Sequence, residues 1–124
     1  FAGADDNASG TAAALAIAGY LKKNTPDYSV IIAILDREET GLEGARAIVP
    51  YLKQILGDSA IKFNVNMDMV ARSDNNELYV VGGSFYPKIA EWVSNVQQKT
   101  NVKLLMGHDG ADGKQNWTTQ SDHS

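Results

Sequence analysis

Side chains able to bind a cation or move a proton recur at intervals along this chain. Asp5 and Asp6 stand near its start, Asp36, Glu38 and Glu39 follow, then Asp68, and His123 lies close to the end. There is no cysteine, so disulfides and thiolate metal sites are excluded. Any zinc here must be held by carboxylate oxygen and imidazole nitrogen. Each group also has a plainer reading. Asp5-Asp6-Asn7 could cap a helix and favour its dipole. Glu38-Glu39 could be solvated surface, although adjacent carboxylates repel each other and sit more easily beside a cation. Asp68 could be a hydrogen-bonded edge residue, and His123 a surface histidine. His108, beside Asp109 and Gly110, reads as an ordinary loop histidine. Trp92 and Trp117 read as packing residues.

The elements that must position these groups follow from the hydrophobic pattern. Residues 1–10 form a turn-rich opening. A helix is expected over residues 11–23, where Leu15, Ala18 and Leu21 recur at helical spacing, ended by Asn24 and Pro26. Residues 28–35 are a continuous apolar run rich in β-branched side chains. They read as a strand buried on both faces, as in a parallel sheet. A second helix is expected over residues 42–56, with Pro50 kinking or splitting it. Residues 61–69 alternate apolar and polar, the pattern of a strand with one covered face. Residues 77–81 are a further short apolar piece. A third helix begins near residues 84–87 with proline at an early position, and a last strand covers residues 102–106. Residues 107–124 are polar and without periodicity, and a loop of that length is usually functional or disordered. Alternating strands and helices imply an α/β domain with a largely parallel sheet. In such sheets ligands bind beyond the carboxyl ends of the strands. Asp36, Glu38 and Glu39 fall there after one strand, and Asp68 near the end of another.

Composition bounds the function classes. The chain has 124 residues, 44% hydrophobic and 21% charged, which fits one globular domain and excludes a collagen-like or disordered chain. Its net charge of −4 makes it a poor partner for a nucleic-acid backbone. No apolar run approaches the ~20 residues of a membrane span.

Order and spacing add what no single feature supplies. The blocks are Gly3-Ala4-Asp5-Asp6-Asn7-Ala8-Ser9-Gly10, Glu38-Glu39-Thr40-Gly41-Leu42-Glu43-Gly44, Asn66-Met67-Asp68-Met69 and Ser121-Asp122-His123. In this order they closely resemble zinc aminopeptidases of the bacterial leucyl aminopeptidase and aminopeptidase Y family, whose relatives include glutamate carboxypeptidases and glutaminyl cyclases. The resemblance implies a three-layer α/β/α sandwich with a mostly parallel central sheet. It implies a pair of zinc ions bridged by Asp6, with Glu39 and His123 on the first ion, Asp68 on the second, and Glu38 as general base. It also implies a cis peptide bond after Asp6, a peptide substrate, and export to the periplasm or the medium.

Members of that family carry a His-x-Asp motif upstream of the bridging aspartate, which this chain lacks. By the same mapping the first zinc keeps Asp6, Glu39 and His123, and the second only Asp6 and Asp68. At most one well-formed site is therefore expected here, against two ions in an intact enzyme. Residues 1–124 are expected to be an internal part of a single catalytic domain truncated at both ends. Its uncovered sheet edges invite pairing with another chain. The competing expectations are a single-zinc, glutaminyl-cyclase-like enzyme and a non-catalytic interaction domain with the same fold. Retained Asp68 and the Asp-Asn-Ala-Ser-Gly string favour the peptidase.

Overall fold

The computed structural model describes residues 3–110 and 112–124. Phe1 and Ala2 of the expected opening turn, and Ala111 of the expected polar loop, lie outside them. The described chain is α/β, with three helices and a parallel sheet of two strands. It divides into two units, the first holding residues up to Ala71 together with His123, the second residues 72–122 and Ser124.

In the first unit, residues 4–7 turn directly into helix α1, Ala8–Lys23. The helix begins ahead of the expected Thr11 because Asn7 caps it. Asn7 has non-helical φ −131°, and its side-chain oxygen accepts from the Gly10 amide at 2.9 Å. Lys22 and Lys23 occupy the last turn, where the helix dipole favours positive charge. Asn24 ends the helix as expected, its amide donating to the Tyr20 carbonyl at 3.0 Å. Ser9, Gly10 and Ala14 form the buried face.

Helix α2, Glu43–Leu56, is entered through Leu42 in the left-handed region at φ 59°. An ion pair between Arg37 and Glu43 at 2.9 Å spans that entry. The helix runs through Pro50 without being split. Proline removes one backbone donor, and the helix continues on either side of it. Gly57, at φ 90°, closes the helix by donating to the Lys53 carbonyl at 2.9 Å.

Two expected strands are not formed. Residues 28–35 and 61–69 belong to no ladder among the described residues. Several of their apolar side chains are exposed. Val30 and Ile31 are each 52% exposed, and Val65 is 65% exposed. A strand needs a neighbour for its N–H and C=O groups, and apolar alternation supplies only the propensity for one.

The second unit holds the sheet. Strands β1, Glu77–Val80, and β2, Lys103–Met106, pair in parallel with Glu77 opposite Lys103 and Val80 opposite Met106. They match the expected apolar pieces to within a residue at either end. The crossover that parallel strands require is helix α3, Pro87–Gln97, with Pro87 in its first turn as expected. Gln97 ties the helix end to the second strand, since Oε1 accepts from the Leu104 amide at 2.7 Å and Nε2 donates to the Val102 carbonyl at 2.9 Å.

Candidate metal centre

The expected ligands lie on three segments of the first unit and on His123. Asp6 is exposed in the turn before α1, and Asp68 is half-buried near the end of the 61–69 segment. The bond between Asp6 and Asn7 is cis, as the family resemblance implies.

A clasp of side-chain hydrogen bonds joins these two segments. Asn7 Nδ2 donates to the Met67 carbonyl at 2.9 Å, and Asn7 Oδ1 accepts from the Met69 amide at 3.3 Å as well as from Gly10. Ser9 Oγ accepts from the Val70 amide at 3.0 Å and donates to the Asp5 carbonyl at 2.6 Å. Asp5 Oδ1 accepts from the Ala71 amide at 3.2 Å. Side chains at alternate positions 5, 7 and 9 thus satisfy successive backbone groups from 67 to 71, a segment that has no strand neighbour to do so. Asp6 lies between two clasp residues, and Asp68 between two of the backbone groups they hold.

Gly10 is part of this approach. A Cβ there would overlap the Met67 carbonyl oxygen and lie 2.6 Å from Asn7 Oδ1. Met69, immediately after Asp68, has φ 53°, a costly conformation for a non-glycine residue that persists where surroundings over-determine it. Asn7, Ser9 and Asp5 were legible in the sequence only as capping residues. Their clasping role has a faint signal there, the recurrence of short polar side chains at every second position.

His123 is exposed and reaches the same segment through Asn66. Asn66 Nδ2 and His123 Nδ1 are 3.3 Å apart. Glu38 and Glu39 occupy a tight turn closed by its own backbone. The Glu38 carbonyl accepts from the amides of Gly41 at 3.0 Å and Leu42 at 2.9 Å, and the Asp36 carbonyl from Gly44 at 3.3 Å. Arg37, just before Glu38, is left-handed at φ 58°. Glu38 is half-buried and Glu39 exposed. Among the described residues, no three His, Asp or Glu side chains converge as one metal site. The clasp and Asn66 bring together the segments bearing Asp6, Asp68 and His123, whereas the 36–44 turn that carries Glu38 and Glu39 closes on itself.

The other histidine is occupied structurally. In the second unit His108 stacks on Trp117 with ring centroids 3.5 Å apart and planes within 7°, and Tyr79 meets both rings edge-on. His108 Nδ1 lies 2.9 Å from the Gln115 carbonyl, and the Trp117 amide donates to the His108 carbonyl at 2.7 Å. Asp112 accepts from the His108 amide at 3.2 Å, which lowers its pKa below the ordinary aspartate value, with smaller help from the Lys114 amide and ammonium. His108 is a loop histidine and Trp117 a packing residue, as expected.

Comparison with known proteins assigns the chain to a family. A probable zinc metalloprotease of Leptosphaeria maculans is 38% identical over 71 residues, covering 57% of this chain and 16% of that protein. The matched region is thus about a sixth of the relative's length. No solved structure matches the chain. The model of peptidase family M28 matches residues 2–124, essentially the whole sequence, and the chain belongs to that family.

Proposed function

We propose that this chain is part of the catalytic domain of a zinc-dependent aminopeptidase, completed to a three-layer α/β/α sandwich in the intact protein. The observation that carries the reading is the clasp. Asn7, Ser9 and Asp5 hold the backbone on either side of Asp68 against the turn that bears Asp6, and Asn66 holds His123 to the same segment. Asp6, Asn7 and His123, on the segments so joined, are all exposed. The donors suit zinc, being carboxylate oxygen and imidazole nitrogen with no thiolate.

Asp6 would bridge two ions, Glu39 and His123 would complete the first, and Asp68 would serve the second. Bound zinc would supply Lewis acidity toward the scissile carbonyl and acidify water. The chain's own contribution is acid–base and positional. Glu38 takes the proton of the attacking water and delivers it to the departing amine, which balances the hydrolysis without another donor. The clasp fixes the separation of Asp6 and Asp68 before substrate arrives, so that little reorganisation is needed during reaction.

Cleavage of matched peptides with free and acetylated N-termini by the intact protein tests the exopeptidase reading. Release of the first residue from the free peptide and none from the acetylated one is expected. Internal cleavage of both peptides at equal rates would contradict it.

A further inference from the structure

We infer that Asp112 is a site of spontaneous covalent change, at which its side chain and the Gly113 amide close to a succinimide that reopens as isoaspartate. This is independent of the proposed zinc chemistry. Asp-Gly occurs twice in the chain, as Asp109-Gly110 and Asp112-Gly113. The pair is open to this reaction because glycine has no side chain to shield its backbone nitrogen. Both pairs lie in the polar loop after β2, and their surroundings differ. Asp112 is exposed. Its Oδ1 accepts from the Lys114 amide at 3.1 Å, two residues on. That turn folds the carboxyl group back over Gly113, the residue between. Gly113 is left-handed at φ 71°, and a Cβ there would meet nothing within 4 Å among the described residues. Ring closure needs local movement, and exposed loop tips supply it.

Asp109 is the internal control. It is 7% exposed, and its Oδ2 accepts from the Ser84 amide at 2.9 Å, 25 residues away in the chain. The carboxyl group is thereby held to another segment. A Cβ at Gly110 would come within 3.1 Å of Asn116 Nδ2, so the backbone after Asp109 is crowded. Reaction there needs this packing to open first.

The steps balance with water alone. The Gly113 nitrogen bonds to Cγ of Asp112 in its acid form, and the carboxyl hydroxyl leaves as water with the amide proton. Water then opens the five-membered ring. Addition at Cγ breaks the new bond and restores aspartate. Addition at the main-chain carbonyl breaks the original peptide bond and leaves the chain running through Cγ, one methylene longer. Asp112 also accepts from the His108 amide at 3.2 Å, and the longer backbone displaces that acceptor.

The test incubates the intact protein at neutral pH, native and in urea, and locates isoaspartate by isoaspartyl methyltransferase labelling and peptide mapping. In urea both Asp109 and Asp112 should react. In the native protein label should accumulate at residue 112 with none at residue 109. Asp112→Glu should lose it, because glutamate would have to close a six-membered ring. Native Asp112 that stays unlabelled while the urea sample labels it would overturn the inference. Equal labelling of both residues in the native protein would overturn it too, because the fold would then not select between them.

Discussion

Glu38 and Glu39 are chemically identical neighbours, and their proposed roles differ. Glu38 is half-buried and Glu39 exposed on a turn whose backbone is closed by Gly41, Leu42 and Gly44. In the intact protein, Glu38→Ala should lower kcat by about 10²–10⁴-fold with zinc content unchanged, the usual loss for a positioned proton carrier. Glu39→Ala should lower zinc content. Measuring both quantities in both variants decides the roles, and exchanged phenotypes would reverse them. The candidate ligands come from the family resemblance that the four sequence blocks carry, and the cysteine-free composition narrows only the donor types to carboxylate and imidazole. Their helpers were not legible. Asn7 bonds to a carbonyl 60 residues away, and nothing local distinguishes such an asparagine from an ordinary helix cap.

At the scale of elements, the clasp makes a definite energetic claim. Gly10→Ala would push a methyl group into the Met67 carbonyl and the Asn7 side chain, forcing α1 and the 67–71 segment apart. Overpacking of that kind costs about 1–3 kcal/mol. Ser9→Ala would strip the half-buried Val70 amide of its acceptor, at a cost of up to about 1–3 kcal/mol, the penalty for a fully buried donor. Urea unfolding of the intact protein should show both losses, while Gly19→Ala, with open space around its Cβ, should be neutral or stabilising. Equal stability of all three variants would deny the clasp. The helices were legible because their signals are local: Asn24 ends α1, and Pro87 opens α3. So were β1 and β2, which pair through a short crossover. Residues 28–35 and 61–69 carry an equally strong apolar pattern and form no ladder among the described residues, since pairing depends on a neighbouring strand that no pattern within a segment can provide.

Taken as a whole, the chain buries little. Among the described residues the buried apolar side chains are Ala14 and Ala45, while Ile34, Phe63 and Val65 are more than half exposed. Extended apolar segments that belong to no ladder among the described residues are templates for pairing with another chain. The 124-residue chain alone should therefore sediment as a dimer or larger species, and a monomer at all concentrations would contradict this. No helix among the described residues is long and apolar enough to cross a membrane.

Metal dependence of hydrolysis by the intact protein bears most directly on the account. Chelation should abolish release of N-terminal residues from aminoacyl substrates, and stoichiometric zinc should restore it in the parent but not in Asp6→Ala. Full hydrolysis by the metal-free protein, or restoration by zinc in Asp6→Ala equal to that in the parent, would contradict it.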